Sequence, residues 1–347
     1  MPQTSSVGAG LRHGHYDGFR ATIKTVGTGA RGSRALTFDE AREAMAALLA
    51  GEVSDTQAGA FLVAMRIKGE QADELAGMAQ ALRDAAPEAH AGIDRPLVAC
   101  AGAYDGTADA PHLSLAVGAT AAACGAGVVM HCGDTLGPKR GTTVADVLAA
   151  LGGPGRPALA ESRAMLERCG VCVVHAGAAL PGWTRLAELR DEIGLRGPVH
   201  SAEKLVDWFG ARRFVVGHTH ASYAERLVGA LERLSADRAV AVRGLEGSDV
   251  MRPGRPMAHE RGAVLELPEL LGARLRGGGG AEESAWLTRV ALRGEGDDLL
   301  AHTVALSAGL RLYAAGLVPD ALSGARDARE ALRDGRAAAT LSALLEG

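Results

Sequence analysis

Five short apolar runs, at residues 97–100, 127–130, 171–174, 214–216 and 239–242, punctuate the chain beyond its first quarter, and helix-like stretches near 113–124, 143–151, 160–168, 221–234 and 300–315 separate or follow them. Runs of three or four apolar residues with no polar alternation are what strands buried on both faces look like. Their alternation with helices predicts an α/β domain with a mostly parallel central sheet flanked by helices on both faces. Ligands of such sheets bind outside the carboxyl ends of the strands, so the loops that follow the strands carry the functional argument.

Ahead of that alternation the text is helical. Thr37-Phe-Asp-Glu40 and Ser54-Asp-Thr-Gln57 are capping boxes, in which the hydroxyl takes an early helix amide and the acid or amide side chain returns the bond. Apolar residues follow each at helical spacing: Ala44, Met45, Leu48 and Leu49 before Gly51, then Ala60, Phe61, Val63, Ala64 and Ile67 before Gly69. A third helix, 72–85, carries Leu75, Met78, Ala79 and Leu82 and stops before Pro87. The expected organisation is therefore a basic, partly flexible arm at 1–35, a small all-helical module at 36–95, and an α/β domain at 96–347, with a later helical segment near 185–210 packing on the module. In the arm, Arg20, Lys24, Arg31 and Arg34 surround Gly27, Gly29 and Gly32, which suits either a solvated arm docking on the body or an anion-binding arm.

Two loops after strands have the chemistry of an anion site. The first, between residues 101 and 114, holds Gly102, Asp105, Gly106 and Ser114 and runs into a helix start. The second holds His131, Lys139, Arg140, Thr142 and Thr143 before another helix, combining glycine, cations and hydroxyls as phosphate binding requires, although Ser114, Thr142 and Thr143 are equally suited to cap helices. After the fifth run, Glu246 and Asp249 stand where carboxylates could hold Mg²⁺ or pair with Arg243 or Arg252. His218-Thr-His220 follows the fourth run and reads either as cleft-lining or as structural. Residues 277–280 read as a flexible glycine loop without chemistry.

The balance of 37 Lys+Arg against 41 Asp+Glu gives no global electrostatic reason to expect nucleic acid, although a local basic strip stays open. No run approaches the roughly 18 apolar residues of a membrane span, and residues 1–18 lack a signal-peptide core, so a cytoplasmic protein is expected. The 5 cysteines include Cys169-Gly-Val-Cys172, but with no second such pair and Cys172 within an apolar run, buried reduced thiols are the expectation.

These blocks resemble the anthranilate phosphoribosyltransferase family, which shares its fold with the pyrimidine nucleoside phosphorylases. The resemblance runs from about Leu36 to the C-terminus, through Leu36-Thr-Phe-Asp-Glu-Ala41, the stretch from Gln57 to Gly69, Asp146-Val-Leu-Ala-Ala-Leu-Gly152 and Leu306-Ser-Ala-Gly-Leu-Arg-Leu-Tyr313. It implies pentosyl transfer from phosphoribosyl diphosphate or binding of another phosphorylated small molecule. Gly102, Asp105, Gly106, Ser114, His131, Lys139, Thr142 and Thr143 would then face the diphosphate, Arg196 the acceptor, and Glu246 and Asp249 Mg²⁺. Several family residues differ: Met130 replaces a lysine, Gly133 an asparagine and Val250 a metal-binding glutamate. Tyr104-Asp-Gly106, Arg243-Gly-Leu-Glu-Gly247 and the basic arm look like the divergent YbiB-type paralogue group of this tryptophan-biosynthesis family. That likeness implies a homodimer and, as the alternative function, nucleic-acid contact through Arg20, Lys24, Arg31, Arg34 and Arg140.

Overall fold

The computed structural model describes residues 16–87, 92–102, 104–270, 275 and 278–346. Its first elements are four helices, α1 (Phe19–Gly27), α2 (Phe38–Ala50), α3 (Asp55–Lys68) and α4 (Ala72–Ala85). Both capping boxes form as the sequence predicts, and α2 ends at Gly51 in the left-handed conformation. Buried Glu74 on α4 ties the module together, accepting the amides of Leu36 and Gln71, both at 2.8 Å, and the ammonium of Lys68 at 2.7 Å.

The arm expected before residue 36 is corrected in part: residues 19–27 are helical, while residues 1–15 lie outside the described ones. Phe19, Ile23 and Val26 recur at helical spacing, and Phe19 meets the Phe61 ring of α3 edge-on at 5.3 Å. Helix Trp183–Ile193 packs on α2 and α3, where Arg185 donates to the carbonyl of Val53 at 2.9 Å and pairs with Asp55 at 2.6 Å.

The sheet has seven strands in the order β3-β2-β1-β4-β5-β6-β7. Strands β1 (Leu97–Ala101), β2 (Gly127–Cys132), β3 (Val171–His175), β4 (Arg213–His218) and β5 (Arg238–Arg243) are parallel, with Cys100 level with Met130 on one side and Val215 on the other. Two short antiparallel strands, β6 (Ala258–Glu260) and β7 (Ala263–Val264), extend the edge beyond β5. The chain builds outward from β1 to β3 and then returns to the other side of β1 for β4. That reversal opens a crevice at the carboxyl ends of β1 and β4. Below it, α5 (Ser114–Ala123) and the helix Asp298–Ala315 are almost wholly buried against each other and the sheet. No helix among the described residues is long and apolar enough to cross a membrane.

Candidate functional site

The loops after β1 and β2 come together, but they bond mainly to each other. The Gly141 amide donates to the carbonyl of Asp105 at 2.8 Å, and Thr107 and Thr142 exchange amide bonds at 2.9 and 2.7 Å. Gly106 has φ +75 and lies directly against the 141–142 backbone, a place and conformation that exclude a side chain. Lys139 donates to the carbonyls of Gly106 at 2.9 Å and Glu246 at 3.1 Å. The Glu246 carboxylate accepts the amides of Ala108 at 2.6 Å and Asp109 at 2.9 Å. The hydroxyl of Thr142 bonds the Gly279 carbonyl, so the described part of the late glycine loop braces this site, while Gly277 lies outside the described residues. Thr143 caps the helix Val144–Ala150 through Asp146.

The donors assigned to a diphosphate are thus engaged within the protein. The backbone at Ser248 passes so close over Gly102, Gly217 and Gly244 that none could carry a Cβ. The space left among Gly102, Ser114, His131 and Asp249 is about 10 Å³, room for roughly one water.

Asp249 lies at the bottom of that space and does not fit magnesium ligation. One carboxylate oxygen accepts the Ser114 hydroxyl, and the other is paired with Arg311, which is fully buried. Burial pushes the Asp249 carboxyl up, and Arg311, Ser114 and His112 together outweigh it and leave it below the usual carboxylate value. Glu246 faces Lys139 at 3.7 Å and holds the two loop amides. Neither acid pairs with Arg243 or Arg252, the partners considered from the sequence. Among the described residues no group of three or more His, Cys, Asp and Glu side chains is placed to hold a metal ion. The Cys169 and Cys172 thiols are buried and free.

His131 sits at the end of β2 with Nδ1 2.5 Å from the Tyr104 hydroxyl, whose one proton goes either to that nitrogen or to the Glu203 carbonyl 3.1 Å away. Burial drives the His131 imidazole down to about 3, so it is neutral at physiological pH.

A roomy cavity lies beside this closed pair of loops, where α3 and the segment after it face the ends of β4. It has a volume of about 350 Å³, and its charged wall includes Arg66, Glu70, Arg196 and Lys204. Arg196 holds buried Asp105 through Nε at 2.7 Å and Nη2 at 2.5 Å. Asp105 is therefore an anchor for Arg196 rather than a phosphate contact. Lys204 spends one bond on the Gly217 carbonyl at 2.8 Å. His218 and His220 both line the cavity, the cleft-facing member of the two readings weighed for them. Arg66, His200, Lys204 and Arg311 were not singled out from the sequence, because no motif or spacing marks them.

The basic strip is only partly available. Arg20 and Arg31 are exposed and Lys24 lies 4.4 Å over the Tyr16 ring, whereas Arg34 pairs with Glu40 at 2.6 Å and Arg140 with Asp191 at 2.6 Å.

Comparison with known proteins agrees with this architecture. Residues 20–86 match the helical bundle domain of a glycosyl transferase family and residues 106–338 its a/b domain. Anthranilate phosphoribosyltransferase from Synechococcus sp. (strain CC9902) is 36% identical over 321 residues, covering 86% of this chain and 88% of that protein. The Thermus thermophilus protein of the same name is 35% identical over 309 residues, covering 87% and 92%. A crystal structure of anthranilate phosphoribosyltransferase from Thermus thermophilus superposes with a TM-score of 0.81 at 34% identity, covering 94% of this chain and 99% of that one. The Saccharomyces cerevisiae enzyme in complex with PRPP and Mg shares the fold at a TM-score of 0.75 and 14% identity, covering 94% and 97%.

Proposed function

The chain belongs to the glycosyl transferase family of the anthranilate phosphoribosyltransferases, and on that premise we propose that it transfers a pentosyl group from phosphoribosyl diphosphate to a nitrogenous acceptor other than anthranilate. The observation that carries the reading is the 350 Å³ cavity with Arg66, Arg196 and Lys204 in its wall, beside the two glycine loops at the sheet's carboxyl edge. Its apolar lining is limited chiefly to Leu227 and the Tyr223 ring, a poor seat for an aryl acceptor.

In this reading the acceptor nitrogen forms a bond to the anomeric carbon as the carbon–oxygen bond to the diphosphate breaks. The diphosphate leaves with the electron pair, and the nitrogen's proton passes to solvent. The protein supplies position and charge rather than a covalent intermediate. The donor would enter between the β1 and β2 loops, whose Thr107–Thr142 pairing and Lys139 bonds must open to admit it. Magnesium has no step here, because Asp249 and Glu246 are committed elsewhere. Homodimer assembly belongs to the same proposal, supported by Ile67 on α3 at 81% exposure. A cytosolic setting, supported by the free cysteines, also belongs to it. Among the described residues no specific contact favours the nucleic-acid alternative, and Arg34 and Arg140 are bound to acids.

The test is thermal unfolding with millimolar phosphoribosyl diphosphate, followed by diphosphate release in the presence of candidate nitrogenous acceptors. A rise in Tm of several degrees and acceptor-dependent release are expected. An unmoved Tm would remove the reading.

A further inference from the structure

A second cavity, of about 410 Å³, shares no lining residue with the first. It lies between the helix Ala281–Leu292 and the turn leading into the helix Asp298–Ala315. Glu283, Trp286, Leu287 and Val290 recur every three or four residues, so one face of the first helix makes a wall. The opposite face, through Ser284, Ala285, Thr288 and Ala291, is buried and seats the helix on α5 and the helix Val144–Ala150. Trp286 is therefore not needed to hold the helix in place. It is 58% exposed, whereas Trp183 and Trp208 are buried. Beside it Leu287 and Leu300 form a buried apolar floor and Val290 is half-buried.

The rim carries one sign of charge. Glu283, Glu295 and Asp297 stand round the opening, and among the described residues no Lys, Arg or His lines it. Glu283 accepts the Gly278 amide at 2.6 Å and Asp297 the Leu300 amide at 2.8 Å, each through one oxygen, which steadies both side chains. Exposed acids alone would mark only a solvated rim. Here they surround an apolar floor and an indole, and the face of an indole attracts cations as carboxylates do. Both features repel an anion.

We propose that this groove binds a small organic cation, an ammonium or guanidinium group carried on an apolar body. The charge lies over the Trp286 ring among the three carboxylates, and the body covers Leu287, Val290 and Leu300. The volume is that of a small-molecule site, so the occupant is a free amine or guanidine rather than a protein segment. The site stands independently of the transfer reading, because it uses none of the residues of that cavity.

Titration of the full-length protein at low salt and neutral pH tests it with three probes of one shape: 2-phenylethylammonium, neutral 2-phenylethanol and anionic 3-phenylpropionate. Calorimetry should show saturable binding of the cation, with Kd about 1 mM or below, and the other two weaker by about ten-fold or more. Tryptophan fluorescence should change over the same range, since Trp286 alone of the three tryptophans is exposed. Trp286→Leu, at an exposed position that keeps the wall apolar, should weaken the cation by about three-fold or more by calorimetry. Glu283→Gln with Glu295→Gln, both exposed, should do the same and narrow the gap between cation and alcohol. Absence of saturable cation binding up to about 10 mM overturns the proposal. So does 2-phenylethanol binding as tightly as the cation, or an unchanged cation affinity in Trp286→Leu. Arg274 and Arg276 flank Leu275, which also lines the groove. Binding that emerges only in Arg274→Ala with Arg276→Ala would mean that the chain supplies its own cation, and it too overturns the proposal.

Discussion

Arg311, reaching out of the helix Asp298–Ala315, donates from Nη2 to a carboxylate oxygen of Asp249 and from Nη1 to the Ser114 carbonyl at 3.0 Å, with no exposure of its own. A cation from the chain itself therefore neutralises the acid that the family resemblance had assigned to a metal. Removing one partner of a buried pair leaves the other charge without compensation. Arg311→Met is expected to cost about 3–5 kcal/mol in urea unfolding, and the double variant Arg311→Met with Asp249→Leu much less. A loss in the double variant equal to that of the single would show that the pairing is not what matters.

The same neutralisation bears on magnesium. With Asp249 paired and Glu246 holding the amides of Ala108 and Asp109, these two acids offer Mg²⁺ no free carboxylate pair. Adding Mg²⁺ without phosphoribosyl diphosphate should leave Tm where it was, since an ion stabilises only what it binds. A clear rise would place a metal site among these residues after all.

Acid should destabilise the protein earlier than its carboxylates alone would. Burial holds His112, His131, His175, His200 and His218 below the ordinary imidazole value, His131 at about 3 and His218 at about 4. The unfolded chain takes up these protons near pH 6.5 and the folded one only at lower pH, so stability falls as pH drops below about 6.5. Glu203, raised by burial, works in the opposite direction. Tm should decline between pH 7 and 5, with a shallower slope in His218→Asn; a flat profile in the wild type would contradict the buried neutral imidazoles.

The five parallel strands were legible because each is an unbroken apolar run, and the helical module because its capping boxes are local patterns. Strands β6 and β7 were not, since Ala258-His-Glu260 and Ala263-Val264 are too short and too polar to show a period. Helix α1 was hidden because Phe19, Ile23 and Val26 are interleaved with cations and followed by glycines. At the site, the sequence marked the loops after β1 and β2 but not the residues they bond to. The Ser114–Asp249 bond spans 135 residues and the Asp249–Arg311 pair 62, and no local signal anticipates either. Gly102, Gly106 and Thr142 read alike whether amides face a phosphate or another loop; only the fold decides.

Gly106 gives that distinction a handle. At φ +75, with the Gly141 and Thr142 backbone against it, a side chain would meet both strain and collision. Gly106→Ala should cost at least about 1–3 kcal/mol by denaturant unfolding. It should also loosen the Thr107–Thr142 pairing, seen as faster amide exchange at those residues. Unchanged stability would mean the loops are not zipped as described.

Lys204 separates binding from folding by the direction of its pH dependence. Burial lowers its ammonium to about 8, with Glu203 and Asp105 opposing and Arg196 and Lys139 adding to the fall. An anion bound beside Lys204 would need the charged form, so affinity for sulfate, whose charge is constant here, should drop by about ten-fold from pH 7 to 9 as that proton leaves. Stability should move the other way. The unfolded lysine keeps its proton to about 10.4, so between pH 8 and 10 the unfolded state binds more protons and folding is favoured as pH rises. Weaker sulfate binding alongside a stability contribution of rising sign cannot come from partial unfolding. Lys204→Met should abolish both trends. Sulfate affinity that stays level across this range would show that Lys204 does not face the ligand.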